Sequence, residues 1–148
     1  MRGIRFILAA MFAIAGAAAL QADLKKAQAE PDLEKRSKLA MDNAVAAYQT
    51  ARDAYGKGEM EPVQAGIDEI EQSVDLAYQS LTDTGKNPRR SPKWFKNAEL
   101  ATRDLGRRIA SFQDQMSYAD RALLDKVKAR VQQVHDELLL GLMEGKKK

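Results

Sequence analysis

Lys86, Arg89, Arg90, Lys93 and Lys96 put five positive charges into eleven consecutive residues, with Trp94 and Phe95 among them. Cations at this density attract phospholipid headgroups, a polyanionic envelope polymer or an acidic protein face. The interleaved aromatics also offer rings on which bases can stack. The plainer alternative is a solvated loop whose Trp94 and Phe95 plug the end of a helix bundle, the ordinary fate of large aromatics. Lys86, Arg89, Arg90, Lys93, Trp94 and Lys96 therefore form the set to watch for docking of an anion or a partner.

Two other groups invite chemistry. Asp68, Glu71 and Asp75 are spaced by three and four residues, so they share one helical face. Such a face can attract Ca²⁺, but no compact loop of alternating acids accompanies it. Its simplest role is a solvated face opposite Arg103, Arg107 and Arg108, each exposed pair contributing about 0.2–1 kcal/mol. His135 is the single histidine. Gln132 stands three residues before it, where a di-iron bundle requires Glu. A b-type haem held by His135 and either Met41 or Met116 is chemically open. On that alternative, a periplasmic haem or metal carrier, the chain resembles the periplasmic four-helix cytochromes in architecture and address. The plainer role for His135 is a partly exposed surface histidine beside the apolar position Val134.

Catalytic motifs are missing. There is no Gly-x-Ser-x-Gly elbow, and Gly56-Lys57-Gly58 is too short for a phosphate-binding loop. The absence of cysteine excludes disulfides, thiol catalysis, c-type haem attachment and cysteine zinc sites. A non-enzymatic protein with no resident cofactor is the expectation.

The elements that must position these residues are helical. The stretch from Glu59 to Met116 reads as an acidic helix followed by a basic one. Between Glu59 and Gly85 there are seven acids and no Lys or Arg, and the cations gather from Lys86 onward. Opposite charges flanking an apolar seam suggest that these two helices fold back on each other as an antiparallel pair.

Taken from the start, Met1 to Ala22 has the form of a secretory signal. Arg2 and Arg5 precede an apolar run, Phe6 to Leu20, and small residues at Ala19 and Ala22 suit cleavage. The run would cover about 22 Å as a helix, short of a ~30 Å hydrocarbon core, which argues against an uncleaved anchor. Removing residues 1–22, with Arg2 and Arg5, brings the net charge from +3 to +1. A generally basic surface is thus not expected, nucleic acid is disfavoured as a partner, and only a local patch matters. The expected address is periplasmic or secreted, with no transmembrane span once the signal is removed.

Residues 23–30 read as a mobile or weakly helical lead-in. A first helix starts near Pro31 and Asp32 and carries Met41, Ala44, Tyr48, Ala51 and Tyr55 at spacings of three and four, until Gly56 and Gly58 stop it. A second runs from about Glu61 to Thr84 with Val63, Ile67, Ile70, Val74, Ala77 and Leu81 inward. Ser91-Pro92 opens a third, with Phe95, Ala98, Ala101, Leu105, Ile109, Phe112 and Met116 inward and Gly106 marking a close approach to a neighbour. Ser117, with Asp120 three residues on, caps a fourth, with Leu124, Val127, Val131, Val134 and Leu138 inward. Leu138 to Met143 is apolar around most of its circumference and serves either to close the bundle or to join a homo-dimer. No period-two alternation or hairpin signal occurs.

The sequence therefore predicts an all-α protein, an antiparallel up-down four-helix bundle or long helical hairpins, behind an N-terminal signal peptide. Residues 1–22 are the signal, 23–30 a flexible lead-in, 31–145 the bundle and 146–148 a basic tail. The functional expectation is an exported binding protein whose partner is another protein or an anionic envelope component.

Overall fold

A computed structural model describes residues 23–146. The predicted signal, Met1 to Ala22, and the tail residues Lys147 and Lys148 lie outside the described residues. The described chain is all-helical, with no strand. After helical turns over 23–29 come four long helices: α1 (Leu33–Gly56), α2 (Met60–Asp83), α3 (Pro92–Gln115) and α4 (Asp125–Glu144). A short 3₁₀ helix, Arg121–Leu124, leads into α4.

The helix ends follow local chemistry. Asp32 caps α1 by accepting the Lys35 N–H at 3.0 Å. Gly58 (φ 72°) and Gly85 (φ 66°) take the left-handed backbone that lets α1 and α2 stop sharply. Ser91 does precede the helical Pro92, but its hydroxyl makes no capping bond. Ser117 does not cap the fourth helix. Its hydroxyl donates to Asp120 Oδ2 at 2.8 Å within the connecting turn, and α4 begins only at Asp125.

The four seams point inward. The named positions of α2 and α4 are all buried, as are those of α1 and α3 except the half-buried Tyr55 and Ala101. Consecutive helices run in opposite directions. Asn43 meets Ser73 and Gly66 meets Ala47 and Ala51 across α1 and α2. Glu99 meets His135 and Gln113 meets Lys128 across α3 and α4. The result is two helical hairpins.

How the hairpins pack departs from the sequence expectation. Parallel neighbours hold them together. Tyr48 bonds to Arg108 and Tyr55 to Ser117 and Asp120, so α1 lies along α3. Glu71 pairs with Lys126 at 3.2 Å and Asp75 with Arg130 at 2.6 Å, so α2 lies along α4. The acidic helix α2 and the basic helix α3 touch little and do not form the expected antiparallel charge pair. Arg108 turns instead to Asp104, four residues back on its own helix. The link over residues 84–91 makes this possible. Helices packed about 8–10 Å apart leave a diagonal of roughly 11–14 Å. Eight residues at ~3.3–3.6 Å each reach across it easily.

Small residues set the tightest contact, between α1 and α2. Ala40, Ala44, Ala47, Ala51 and Ala54 line the inner stripe of α1 and are buried. A Cβ placed on Gly66 would come within 2.8 Å of Ala51 Cβ and 3.1 Å of the Ala47 carbonyl oxygen. Gly106 is not a close approach, since a Cβ there meets only Val131 Cγ1 at 3.8 Å.

Candidate functional site

The basic turn is a built loop. Asn87 organises it: its side-chain oxygen accepts the Arg89 N–H at 2.9 Å, and its carbonyl accepts the N–H groups of Arg90 and Ser91. Pro88 packs on α4, with its Cγ 3.2 Å from where a Gly141 Cβ would stand. Arg89 lies beside the end of the same helix, its Cβ 3.6 Å from the position of a Gly145 Cβ. The turn is thereby clamped against the C-terminal end of α4.

The six residues of the set divide in use. Lys86 is engaged, its Nζ bonded to Glu34 Oε1 of α1. Arg89, Arg90, Lys93 and Lys96 are exposed, and none pairs with a carboxylate among the described residues. Lys93 Nζ stands over the Trp94 ring, 5.2 Å from its centroid. Trp94 is half-buried and packs against the core, while Phe95 is buried. Trp94 also forms one wall of a groove of about 320 Å³ between α1 and α3, with Met41, Ala98 and Leu100. The aromatics thus serve packing, and the cations are what the surface presents.

The acids of α2 do not gather into a cation site. Glu71 and Asp75 pair with Lys126 and Arg130 of α4, and Asp68 takes the Gln64 side-chain amide. The bond to Asp75 holds the Arg130 guanidinium above its ordinary pKa. Burial raises the Tyr78 phenol on the same flank, and the facing Glu137 adds to the rise. Among the described residues, no group of three or more His, Asp or Glu side chains could hold a metal ion.

His135 is more enclosed than a surface histidine, with its side chain 14% exposed. Its Nε2 is 3.0 Å from Glu99 Oε1, and its Nδ1 is 3.2 Å from Asp136 Oδ1. Both ring nitrogens thus face carboxylates. Met116 does not share a site with it. Glu99 and Met116 are separated by about 25 Å of helix rise.

Two features escaped sequence reading. Asn43 of α1 donates to Glu69 Oε1 at 3.1 Å and Ser73 Oγ at 2.8 Å, and all three residues are buried. The Asn43 side-chain oxygen has no partner there. Glu69, one of the seven acids between Glu59 and Gly85, faces α1. The only sequence signal was a polar residue close to the helical spacing of Met41 and Ala44. The second feature is the Tyr55 hydroxyl, which donates to Asp120 and accepts the Ser117 N–H at the opposite end of the bundle.

No protein-family model and no curated protein matches the chain. No helix among the described residues is long and apolar enough to cross a membrane.

Proposed function

We propose that this is an exported, non-enzymatic helical protein that works by binding, and that it docks through the basic turn onto an anionic envelope component. One observation carries the reading: Arg89 and Arg90 on the turn clamped against α4, and Lys93 and Lys96 on the first turns of α3, stand exposed, and among the described residues no carboxylate pairs with any of them. Other unpaired cations, such as Lys35, Lys57 and Arg107, stand apart, whereas these four fall within eight consecutive residues, and Lys38 and Arg130 are matched by Asp42 and Asp75. A fixed group of unmatched charges lowers the ordering cost of meeting an anionic surface. Each Lys or Arg near such a surface contributes about 1 kcal/mol, screened within a Debye length.

The test is equilibrium binding to anionic vesicles and to a soluble polyanion at rising salt. The protein should bind both, and more weakly as salt increases. Arg89→Ala/Arg90→Ala should weaken binding by about thirtyfold, from ~2 kcal/mol. Binding that survives this change intact would remove the turn from the account.

A further inference from the structure

Beside the basic turn, the last two turns of α4 present apolar side chains to solvent. Leu139, Leu140 and Met143 are 39%, 43% and 67% exposed. Spacings of three and four place Met143 over both leucines, so the three form one outward face. Their neighbours Leu138 and Leu142 pack inward, so closing the bundle end does not require the outer three.

The face and the cations share one end of the molecule. Arg89 Cβ lies beside Gly145, two residues past Met143. Lys146 Nζ reaches the Gly85 carbonyl at 3.3 Å. Glu99 faces His135 across the antiparallel α3 and α4, so three residues nearer the turn Lys96 stands level with Leu138. Two carboxylates border the face, Asp136 and Glu144. Against these two carboxylates stand Arg89, Arg90, Lys93, Lys96 and Lys146 at the same end of the molecule. The border is therefore cationic in balance.

We infer that the anionic component is a lipid bilayer, and that Leu139, Leu140 and Met143 enter its headgroup–acyl boundary while the adjoining cations hold the headgroups. This rests on the docking role proposed above for the turn. A soluble polyanion rewards the cations but gains nothing from exposed leucines. A bilayer of anionic lipid rewards both, because apolar side chains can settle about 5–10 Å into the boundary. A second copy of the chain fits the face less well. A two-fold interface joins one patch to the same patch of the other copy, so it covers the leucines but supplies the adjoining cations with a border that is itself cationic in balance.

The experiment compares the protein with Leu139→Ser/Leu140→Ser/Met143→Ser, using the chain from Asp23 onward so that the apolar Phe6 to Leu20 run supplies no binding. That chain carries the whole core described above, and circular dichroism confirms that both forms fold. Probes are vesicles of phosphatidylglycerol with phosphatidylcholine, vesicles of phosphatidylcholine alone, and dextran sulfate. The triple variant should bind the anionic vesicles at least tenfold more weakly and bind dextran sulfate as before. In a Trp94→Phe background, Met143→Trp should shift its emission to the blue on anionic vesicles but not with dextran sulfate. Equal vesicle affinity of variant and parent overturns the lipid inference, even if Arg89→Ala/Arg90→Ala still weakens binding. A triple variant that loses only a dimer, with vesicle binding unchanged, overturns it in favour of self-association. Failure of the arginine variant to weaken any binding instead defeats the docking role itself.

Discussion

Two interior glycines separate what a residue type announces from what its surroundings decide. Gly66 and Gly106 both sit mid-helix, where Gly costs about 1 kcal/mol relative to Ala. Only Gly66 has a neighbour that forbids a methyl group, since Ala51 Cβ and the Ala47 carbonyl cannot swing aside. Gly66→Ala should therefore lower thermal stability, an overpacking cost of roughly 1–3 kcal/mol outweighing the propensity gain. Gly106→Ala should raise stability by up to about 1 kcal/mol, a few degrees in melting temperature. Thermal melts of the two variants moving in the same direction would contradict this. Nothing in the sequence separated these glycines, because the deciding atoms lie on another helix. Asp32 carries a pH prediction. The Lys35 N–H it accepts holds its carboxyl below the ordinary value of 3.8, so its cap is present above that value and lost as pH falls through the lower folded one. An NMR titration of Asp32 with its midpoint at or above 3.8 would contradict the cap.

At the scale of elements, the helices and their antiparallel hairpins were legible, and the way the two hairpins pack on each other was not. Spacings of three and four located all four seams, and Gly, Pro and Asp marked most ends. Ser117 misled because its hydroxyl serves a local turn with Asp120, which delays α4 to Asp125. The partner of α2 misled for an energetic reason. Exposed ion pairs contribute only about 0.2–1 kcal/mol each, too little to choose among neighbours. Shape decides more, and the 84–91 link lets α3 lie across the diagonal, which gives Asp75 to Arg130 rather than to Arg103, Arg107 or Arg108. A double-mutant cycle on Asp75 and Arg130 should return a coupling of about 0.5 kcal/mol, reduced for partial exposure. The same cycle on Asp75 and Arg107 should return none. Coupling to Arg107 instead would restore the pairing that the sequence suggested.

At the scale of the molecule, one end of the bundle differs from the rest. Four unmatched cations, a clamped turn and an exposed apolar face converge there, while the far end is tied by the Tyr55, Ser117 and Asp120 bonds. The cations were legible because they lie within eight residues of sequence. Their convergence with Leu139, Leu140 and Met143 was not, because it depends on α4 returning to the turn some fifty residues later. Net charge does not favour the docking proposed for this end, since the chain without residues 1–22 carries only +1. The proposal rests on location, and location is what the most direct measurement isolates. Arg89→Glu/Arg90→Glu and Arg107→Glu/Arg108→Glu change the net charge equally, one pair at the turn and the other on the exposed flank of α3. Binding of each to phosphatidylglycerol-containing vesicles, at fixed salt, should collapse for the first pair and stay near that of the parent for the second. Equal losses in the two would show that overall charge, and not the basic turn, governs binding.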